Sequence, residues 1–270
     1  MPRGPAHSTR RGRILHHRIV DALGRRLRVE MLGLERVPAG RALFVANHAF
    51  GFWDLAFAVA RISCASERPV FILGDHIWWR IPLVAALARR FGIVDGTPQN
   101  ADDLLGRGEL VLVLPGGLRE AMKPRELRYR LLWGRRYGFV KAALRNRAPI
   151  VPLACIGGDE LFDLIGDPFE RGARWRLGLP IPRVDRLLPV PRQRRLTFVI
   201  GEPIEVAGRG SEEDPLALRS IRREVEGAIH ELIEQELARR VGFDYGTEKG
   251  AAPSPELTPT PPGGASDEDA

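Results

Sequence analysis

The stretch Leu110 to Met122, LVLVLPGGLREAM, is the part of the sequence that decides the fold. Its first five residues are apolar without alternation, which is typical of a strand buried on both faces of a sheet. Such strands belong to parallel sheets that helices cover on both sides. The strand ends at Pro115, and Gly116 and Gly117 follow in a turn. We therefore predict an α/β fold with a mostly parallel central sheet flanked by helices.

Other parts of the sequence repeat this order of strand and helix. Ala42 to Val45 is a short apolar run that predicts a buried strand, and Pro149 to Ile156 predicts another. An amphipathic pattern from Tyr137 to Arg145 predicts a helix, and a long helix is predicted after Asp214, a good N-cap residue. Because strands and helices alternate along the chain, an α/β domain is the natural architecture.

The length and composition fit one globular domain with a segment on either side. The chain has 270 residues, of which 44% are hydrophobic and 28% charged. A domain of this size buries roughly 70 to 75% of its unfolded surface. We assign residues 1–27 to a basic amphipathic helix, 28–245 to the domain and 246–270 to a tail. The tail is predicted to be disordered, because it has too little apolar area to offset the entropy lost on ordering.

The cysteines and the lack of long apolar runs indicate the compartment. Cys64 and Cys155 form no disulfide framework and no metal-ligand spacing, which favours a reducing compartment and predicts no metal. The start of the chain lacks the apolar core of a signal peptide, and no run reaches the roughly 18 apolar residues that a spanning helix needs. We expect a cytoplasmic protein that does not span a membrane.

The N-terminal segment carries much of the positive charge. The formal net charge is +7, and arginines crowd residues 3 to 28. A basic segment of this kind attracts nucleic acid, anionic lipid or an anionic substrate. Apolar residues such as Ile19 and Leu23 recur beside the arginines at helical spacing, as in a helix lying on a membrane surface. An amphipathic helix packed on its own domain has the same pattern, so both interpretations stay open.

Two polar residues, Asn47 and His48, follow the strand predicted at Ala42 to Val45, and Asp54 comes six positions after the histidine. A histidine with a carboxylate nearby is typical of a general base and the acid that orients it. A helix N-cap aspartate beside a surface histidine explains the same spacing without catalysis. This stretch alone does not decide between the two.

The turn at Gly116 and Gly117 is followed by Arg119. Glycines let the backbone approach a ligand closely, and the guanidinium of Arg119 suits a phosphate or carboxylate. As structure only, the turn connects two elements and Arg119 pairs with Glu120 or water. The turn is not a nucleotide-binding P-loop, because the glycine-to-lysine spacing is absent.

Together, in this order, the two motifs resemble those of the glycerol-phosphate and lysophospholipid O-acyltransferase superfamily. Its signatures are Asn-His followed by an Asp, then Pro-x-Gly-x-Arg after a buried strand; Val151-Pro152 also resembles its final block. The match covers roughly Arg28 to Glu205. The resemblance implies His48 as general base and Asp54 as its partner. The residues that it implies for substrate binding are Asn47, Gly116, Gly117, Arg119, Glu120 and Pro152.

The sequence departs from the commonest pattern of that superfamily in two places. Five residues, rather than four, separate His48 from Asp54, and Gly116 replaces the usual glutamate. Both changes resemble the branch of diacylglycerol acyltransferase-like and plastid phytyl-ester synthase-like proteins, as does GDHIWWRIP at residues 74–82. This branch implies a neutral hydroxyl acceptor, such as a diglyceride or a long-chain alcohol.

The resemblance implies an enzyme that moves a fatty acyl group from acyl-CoA or acyl-carrier protein to a lipid hydroxyl, with no other cofactor. We expect it to be peripherally membrane-associated through the basic N-terminal segment, with no nucleic acid partner. One alternative is a lysophospholipid or 1-acylglycerol-3-phosphate acyltransferase. Another is a non-catalytic basic protein that binds lipid or nucleic acid, which gives no reason for the His48 and Asp54 pair. An α/β-hydrolase is disfavoured because no Gly-x-Ser-x-Gly elbow is present.

Overall fold

The computed structural model describes residues 10–51, 53–76, 79, 88, 92–174, 181–184 and 195–242. Within these residues one seven-stranded sheet is formed. The strands in chain order are β1 (Glu30–Leu32), β2 (Ala42–Ala46), β3 (Val70–Gly74), β4 (Ile93–Asp95), β5 (Leu110–Val113), β6 (Ile150–Ile156) and β7 (Thr197–Ile200). Their order across the sheet is β1-β7-β6-β2-β5-β3-β4.

The sheet is parallel over its five adjacent strands β6, β2, β5, β3 and β4. At one side β7 is antiparallel to β6, and β1 is parallel to β7. The helices are α1 (Arg10–Arg26), α2 (Trp53–Ser66), α3 (Pro98–Gly106), α4 (Gly117–Ala121), α5 (Gly138–Asn146), α6 (Pro168–Arg174) and α7 (Pro215–Arg240). The predicted α/β fold, with a mostly parallel sheet flanked by helices, is confirmed.

The residues of the central strands alternate between two hydrophobic cores on opposite faces of the sheet. In β2, Leu43 and Val45 pack in the core that includes residues of α3, α5 and α7, whereas Ala42 and Phe44 pack in the core that includes α2. Every residue of β2 and of β6 is buried. Burial on both faces explains why these strands are continuous apolar runs in the sequence.

Helix α1 packs against α2 and carries apolar side chains on two sides. Val20 and Leu27 pack against the core on the α2 side of the sheet. Ile19 and Leu23, one helical turn apart, are 64% and 43% exposed. Packing on the domain therefore uses one side of α1 and leaves an apolar stripe on the other.

The predicted segments meet the described residues only in part. The N-terminal segment 1–27 is helical over Arg10–Arg26, and the whole sheet lies within 28–245. The predicted tail, 246–270, and most of GDHIWWRIP lie outside the described residues. Over the part of the chain that the structure describes, no helix is long and apolar enough to cross a membrane.

Helix α7 begins where the sequence predicts and ends in an ionic cluster around the buried Glu236. Asp214 is its N-cap, and the side chain accepts a hydrogen bond of 2.8 Å from the Leu216 N–H. Near the other end, the Glu236 side chain is 2% exposed and pairs with Arg239 and Arg240. Burial acts to raise the pKa of Glu236, but the hydrogen bonds from the two arginines outweigh it and hold this pKa below its usual 4.5.

Glu236→Gln tests the contribution of this cluster to stability. Because the pKa of Glu236 is lower in the folded than in the unfolded chain, its stabilisation is present above the unfolded pKa and is lost as the pH falls through the folded one. We expect the substitution to lower the free energy of unfolding near neutral pH and to flatten its decline below about pH 4.5. Urea denaturation across this pH range measures both effects, and an unchanged slope would contradict the assignment.

Candidate active site

The carboxyl ends of three adjacent strands bring the sequence motifs to one edge of the sheet. Strand β2 lies between β5 and β6 and is parallel to both. Residues that follow these strands therefore lie at the same carboxyl edge, where α/β sheets bind their ligands. Asn47 and His48 follow β2, the Pro115 turn follows β5, and Gly157 and Gly158 follow β6.

His48 and Asp54 meet despite the five residues between them. Nδ1 of His48 lies 2.7 Å from Oδ2 of Asp54, which stands in the first turn of α2. The same oxygen accepts a hydrogen bond from the Ala49 N–H at 2.9 Å, and Oδ1 accepts one from the Leu55 N–H at 2.8 Å. Within the connecting loop, Gly51 has φ of +107°, a conformation that other residues rarely adopt.

The carboxylate of Asp54 determines which nitrogen of His48 is available for chemistry. A buried carboxylate accepts hydrogen bonds, so it holds the imidazole proton on Nδ1 and leaves the lone pair on Nε2. The His48 side chain is 15% exposed, whereas that of Asp54 is 3% exposed. A neutral imidazole fixed in this way can accept a proton at Nε2, as a general base does.

Two of the predicted substrate-binding residues, Asn47 and Pro152, are buried and make contacts within the protein. Asn47 is buried and exchanges two hydrogen bonds with the backbone of Cys155 in β6: Nδ2 donates to its carbonyl at 2.9 Å, and Oδ1 accepts from its N–H at 2.7 Å. Pro152, also in β6, is buried and paired with Val45 of β2. These contacts hold β2 and β6 together beside His48, and contact of the two residues with substrate remains a prediction.

Glu120 points inward from α4 and is fully buried. One carboxylate oxygen accepts a hydrogen bond from the His48 N–H at 2.8 Å, and the other accepts one from the Leu132 N–H at 2.7 Å. Burial raises the pKa of Glu120, against the nearby charge of Lys123 and the two backbone hydrogen bonds. Glu120 thus fixes the backbone of His48. Contact of Glu120 with substrate remains a prediction.

The glycine turn and Arg119 lie around the start of α4. Gly116 is the N-cap residue, and a Cβ atom there would overlap the side chain of Glu120. The backbone next to Gly116 is held by Arg136, whose Nη1 donates to the Pro115 carbonyl at 2.6 Å. Arg119 is exposed, and its guanidinium lies 5.1 Å from the centre of the Phe169 ring. The structure therefore brings Gly116, Glu120 and His48 together and places Arg119 against α6.

Two residues that the sequence does not single out complete the arrangement around His48. Lys123 and Asp159 are buried, and Nζ of the lysine lies 2.7 Å from Oδ1 of the aspartate. They line a cleft at this edge together with Phe50 and Phe162, whose rings meet edge to face. Asp159 was visible in the sequence only as the residue after the Gly157-Gly158 loop, and nothing local marks Lys123 as buried.

Comparison with known proteins shows which family the chain resembles. Residues 28–156 match the family model described as acyltransferase, and this range contains both His48 and the glycine turn. A protein of uncharacterised function from Mycobacterium tuberculosis (strain ATCC 25618 / H37Rv) is 33% identical over 232 residues, which cover 81% of this chain and 64% of that protein. Over residues 28–156 the chain is therefore similar to the acyltransferase family.

Two further similarities are to a mouse enzyme and to a solved structure. The mouse protein described as a DGAT1/2-independent enzyme synthesizing storage lipids is 30% identical over 150 residues, covering 52% of this chain and 45% of the mouse protein. The chain thus spans less than two thirds of the length of these relatives. The 1-acyl-sn-glycerophosphate (LPA) acyltransferase of Thermotoga maritima superimposes with a TM-score of 0.53 at 18% identity, covering 85% of this chain and 84% of that one, which shows a shared fold.

Proposed function

We propose that the chain transfers a fatty acyl group from an acyl thioester to the hydroxyl of a lipid acceptor, such as a diglyceride or a long-chain alcohol. The observation that carries the proposal is the His48 and Asp54 pair, which leaves Nε2 of the histidine as a base at the carboxyl edge of the sheet. The match of residues 28–156 to the acyltransferase family model supports the reaction class. The similarity to an enzyme described as synthesizing storage lipids supports a lipid acceptor.

In the proposed reaction His48 acts first as a base and then as an acid. Nε2 takes the proton of the acceptor hydroxyl as its oxygen attacks the thioester carbonyl, and Asp54 stabilises the imidazolium that forms. The C–S bond of the tetrahedral intermediate then breaks, and the imidazolium returns the proton to the leaving thiolate. The products are an ester and a free thiol. Both substrates are bound together, and no acyl-enzyme is formed.

The donor and the acceptor are tested in one experiment. Purified protein is incubated with a mixed lipid extract and either acyl-CoA or acyl-carrier protein, and mass spectrometry identifies the lipid that gains an acyl chain. A new diglyceride or alcohol ester supports the proposal. Acylation of a lysophospholipid or of 1-acylglycerol-3-phosphate supports the alternative acceptor, for which the exposed guanidinium of Arg119 is a suitable phosphate ligand. Absence of any acylated product with either donor contradicts acyl transfer.

We propose further that α1 docks the enzyme on the cytoplasmic face of a membrane as a peripheral protein. Ile19 and Leu23 form an exposed apolar stripe, and Arg18, Arg25 and Arg26 are exposed beside it. Apolar side chains that enter the interface and arginines that meet anionic headgroups are the two sources of binding for such a helix. The same helix is held to the domain from its other side by packing against α2.

The double substitution Ile19→Asp and Leu23→Asp is expected to weaken binding to anionic phospholipid vesicles by at least about tenfold, because two insertions into the interface are lost. Vesicle co-sedimentation measures the binding, and activity on a short-chain soluble acceptor should persist. The matched control is Leu216→Asp on α7. Leu216 is 75% exposed and lies outside the apolar stripe of α1. Equal binding of the double variant and the control would contradict docking through α1.

A further inference from the structure

The backbone of His48 is held as firmly as its side chain, and by different residues. Its N–H donates to Oε1 of Glu120 at 2.8 Å, and its carbonyl accepts a hydrogen bond from Nζ of Lys123, also at 2.8 Å. Its Nδ1 is held by Asp54 at 2.7 Å. Of the four polar groups of this residue, Nε2 is the one that has no hydrogen-bond partner among the residues that the structure describes.

The ammonium of Lys123 joins three segments of the site. Besides the His48 carbonyl after β2, it donates to the carbonyl of Glu120 in α4 at 3.1 Å. Its third acceptor is Oδ1 of Asp159, which follows β6, at 2.7 Å. An ammonium has three N–H donors, so each of them has an acceptor here. The lysine is thus fully committed to the protein and is not free to bind an anionic substrate.

Asp159 holds the ammonium of Lys123 in place. The side chain of Asp159 is 4% exposed and that of Lys123 is 2% exposed. The second carboxylate oxygen of Asp159 accepts a hydrogen bond from the Tyr129 N–H at 2.7 Å. Tyr129 is itself tied down, because its hydroxyl donates to Glu160 at 2.6 Å and accepts from the Gly157 N–H at 3.0 Å. The position of the lysine is therefore set by rigid contacts on the β6 side of the site.

We propose that Lys123 and Asp159 are positioning residues for the general base: the buried pair fixes the carbonyl of His48 and so the place and direction of Nε2. This inference rests on the proposed acyl transfer. A pair with a structural role alone would affect folding without affecting the rate of the folded enzyme. A positioning role predicts instead a loss in the chemical step, because displacement of a catalytic group by about 1 Å costs roughly a hundredfold in rate.

The test compares Lys123→Met, Asp159→Asn and the double variant with the wild-type protein. A single substitution leaves a buried charge without its partner and is expected to lower the melting temperature, whereas the double variant leaves neither charge and recovers much of the stability. We expect kcat to fall by about 10- to 100-fold in all three, with KM changed less than about threefold. A double variant that is stable and has wild-type kcat would overturn the proposal.

A matched control and an independent signal separate this inference from the proposed function. Glu236→Gln disrupts an ionic cluster around another buried carboxylate, which reaches β6 through Arg240 and the Ile156 carbonyl, and we expect it to lower stability without lowering kcat. In protein labelled with ¹⁵N-histidine, the Nδ1 proton of His48 bonded to Asp54 is expected to give a downfield signal that weakens in the Lys123 and Asp159 variants. A wild-type protein that transfers no acyl group contradicts the function, whereas an unchanged signal contradicts the positioning role.

Discussion

His48→Ala is expected to lower the rate of acyl transfer by about 10²- to 10⁴-fold, which is the range that a positioned general base contributes. The fold should remain, because Asp54 keeps its hydrogen bonds from the Ala49 and Leu55 N–H groups. The rate is measured with a labelled acyl thioester, and thermal unfolding checks the fold. Retention of full activity would remove His48 from the mechanism.

A second histidine and aspartate pair provides a control for this experiment. Nδ1 of His76 lies 2.6 Å from Oδ1 of Asp95, close to the ends of β3 and β4 and so at the same edge of the sheet. The His76 side chain is 70% exposed, so water competes with Asp95 for the imidazole. We expect His76→Ala to retain activity, as should His230→Ala on the exposed side of α7. Loss of activity in His76→Ala together with full activity in His48→Ala would assign the role of general base to His76.

Asp54→Asn is expected to lower kcat by about 10²-fold or more. An amide presents one oxygen and one NH₂ group, whereas the carboxylate of Asp54 accepts hydrogen bonds at both oxygens. With the NH₂ group facing the imidazole, the Ala49 N–H loses its acceptor, Nδ1 becomes an acceptor and the ring proton moves to Nε2. A histidine in that tautomer has no lone pair toward the hydroxyl and cannot take its proton.

The tautomer provides a direct measurement of this effect. The ¹⁵N shifts of labelled His48 should report a proton on Nδ1 in the wild-type protein and on Nε2 in Asp54→Asn. The companion variant Asp54→Glu restores a carboxylate on a side chain that is one methylene group longer, and it is expected to recover part of the rate. A kcat of Asp54→Asn within about threefold of wild type would show that the carboxylate does not set the base.

The sequence predicts those parts of the fold that local pattern determines. Strands β2, β5 and β6 are buried on both faces, so they appear as apolar runs with identifiable ends. Parallel strands share their carboxyl edge, which is why the residues after β2 and after β5 lie near one another. The N-cap of α7 at Asp214 is local as well, because it needs only an acceptor side chain before a helical pattern.

The sequence does not predict what depends on contacts between distant residues. The antiparallel addition of β7 beside β6, with β1 beyond it, follows from pairing that no local pattern records. Glu120 and Arg119 are adjacent, yet one is buried under His48 and the other lies over Phe169. The short helix α4 turns successive side chains in different directions, and only the surrounding strands determine which direction is inside. The same holds for Lys123, whose three acceptors come from separate segments.

The space at Gly116 determines which side chain can lie under His48. The superfamily pattern that the sequence resembles has a glutamate at this position, but here even a Cβ atom would overlap the side chain of Glu120. A glutamate at 116 and the inward Glu120 are therefore mutually exclusive in this backbone. A side chain at 116 would displace Glu120 and remove the acceptor of the His48 N–H.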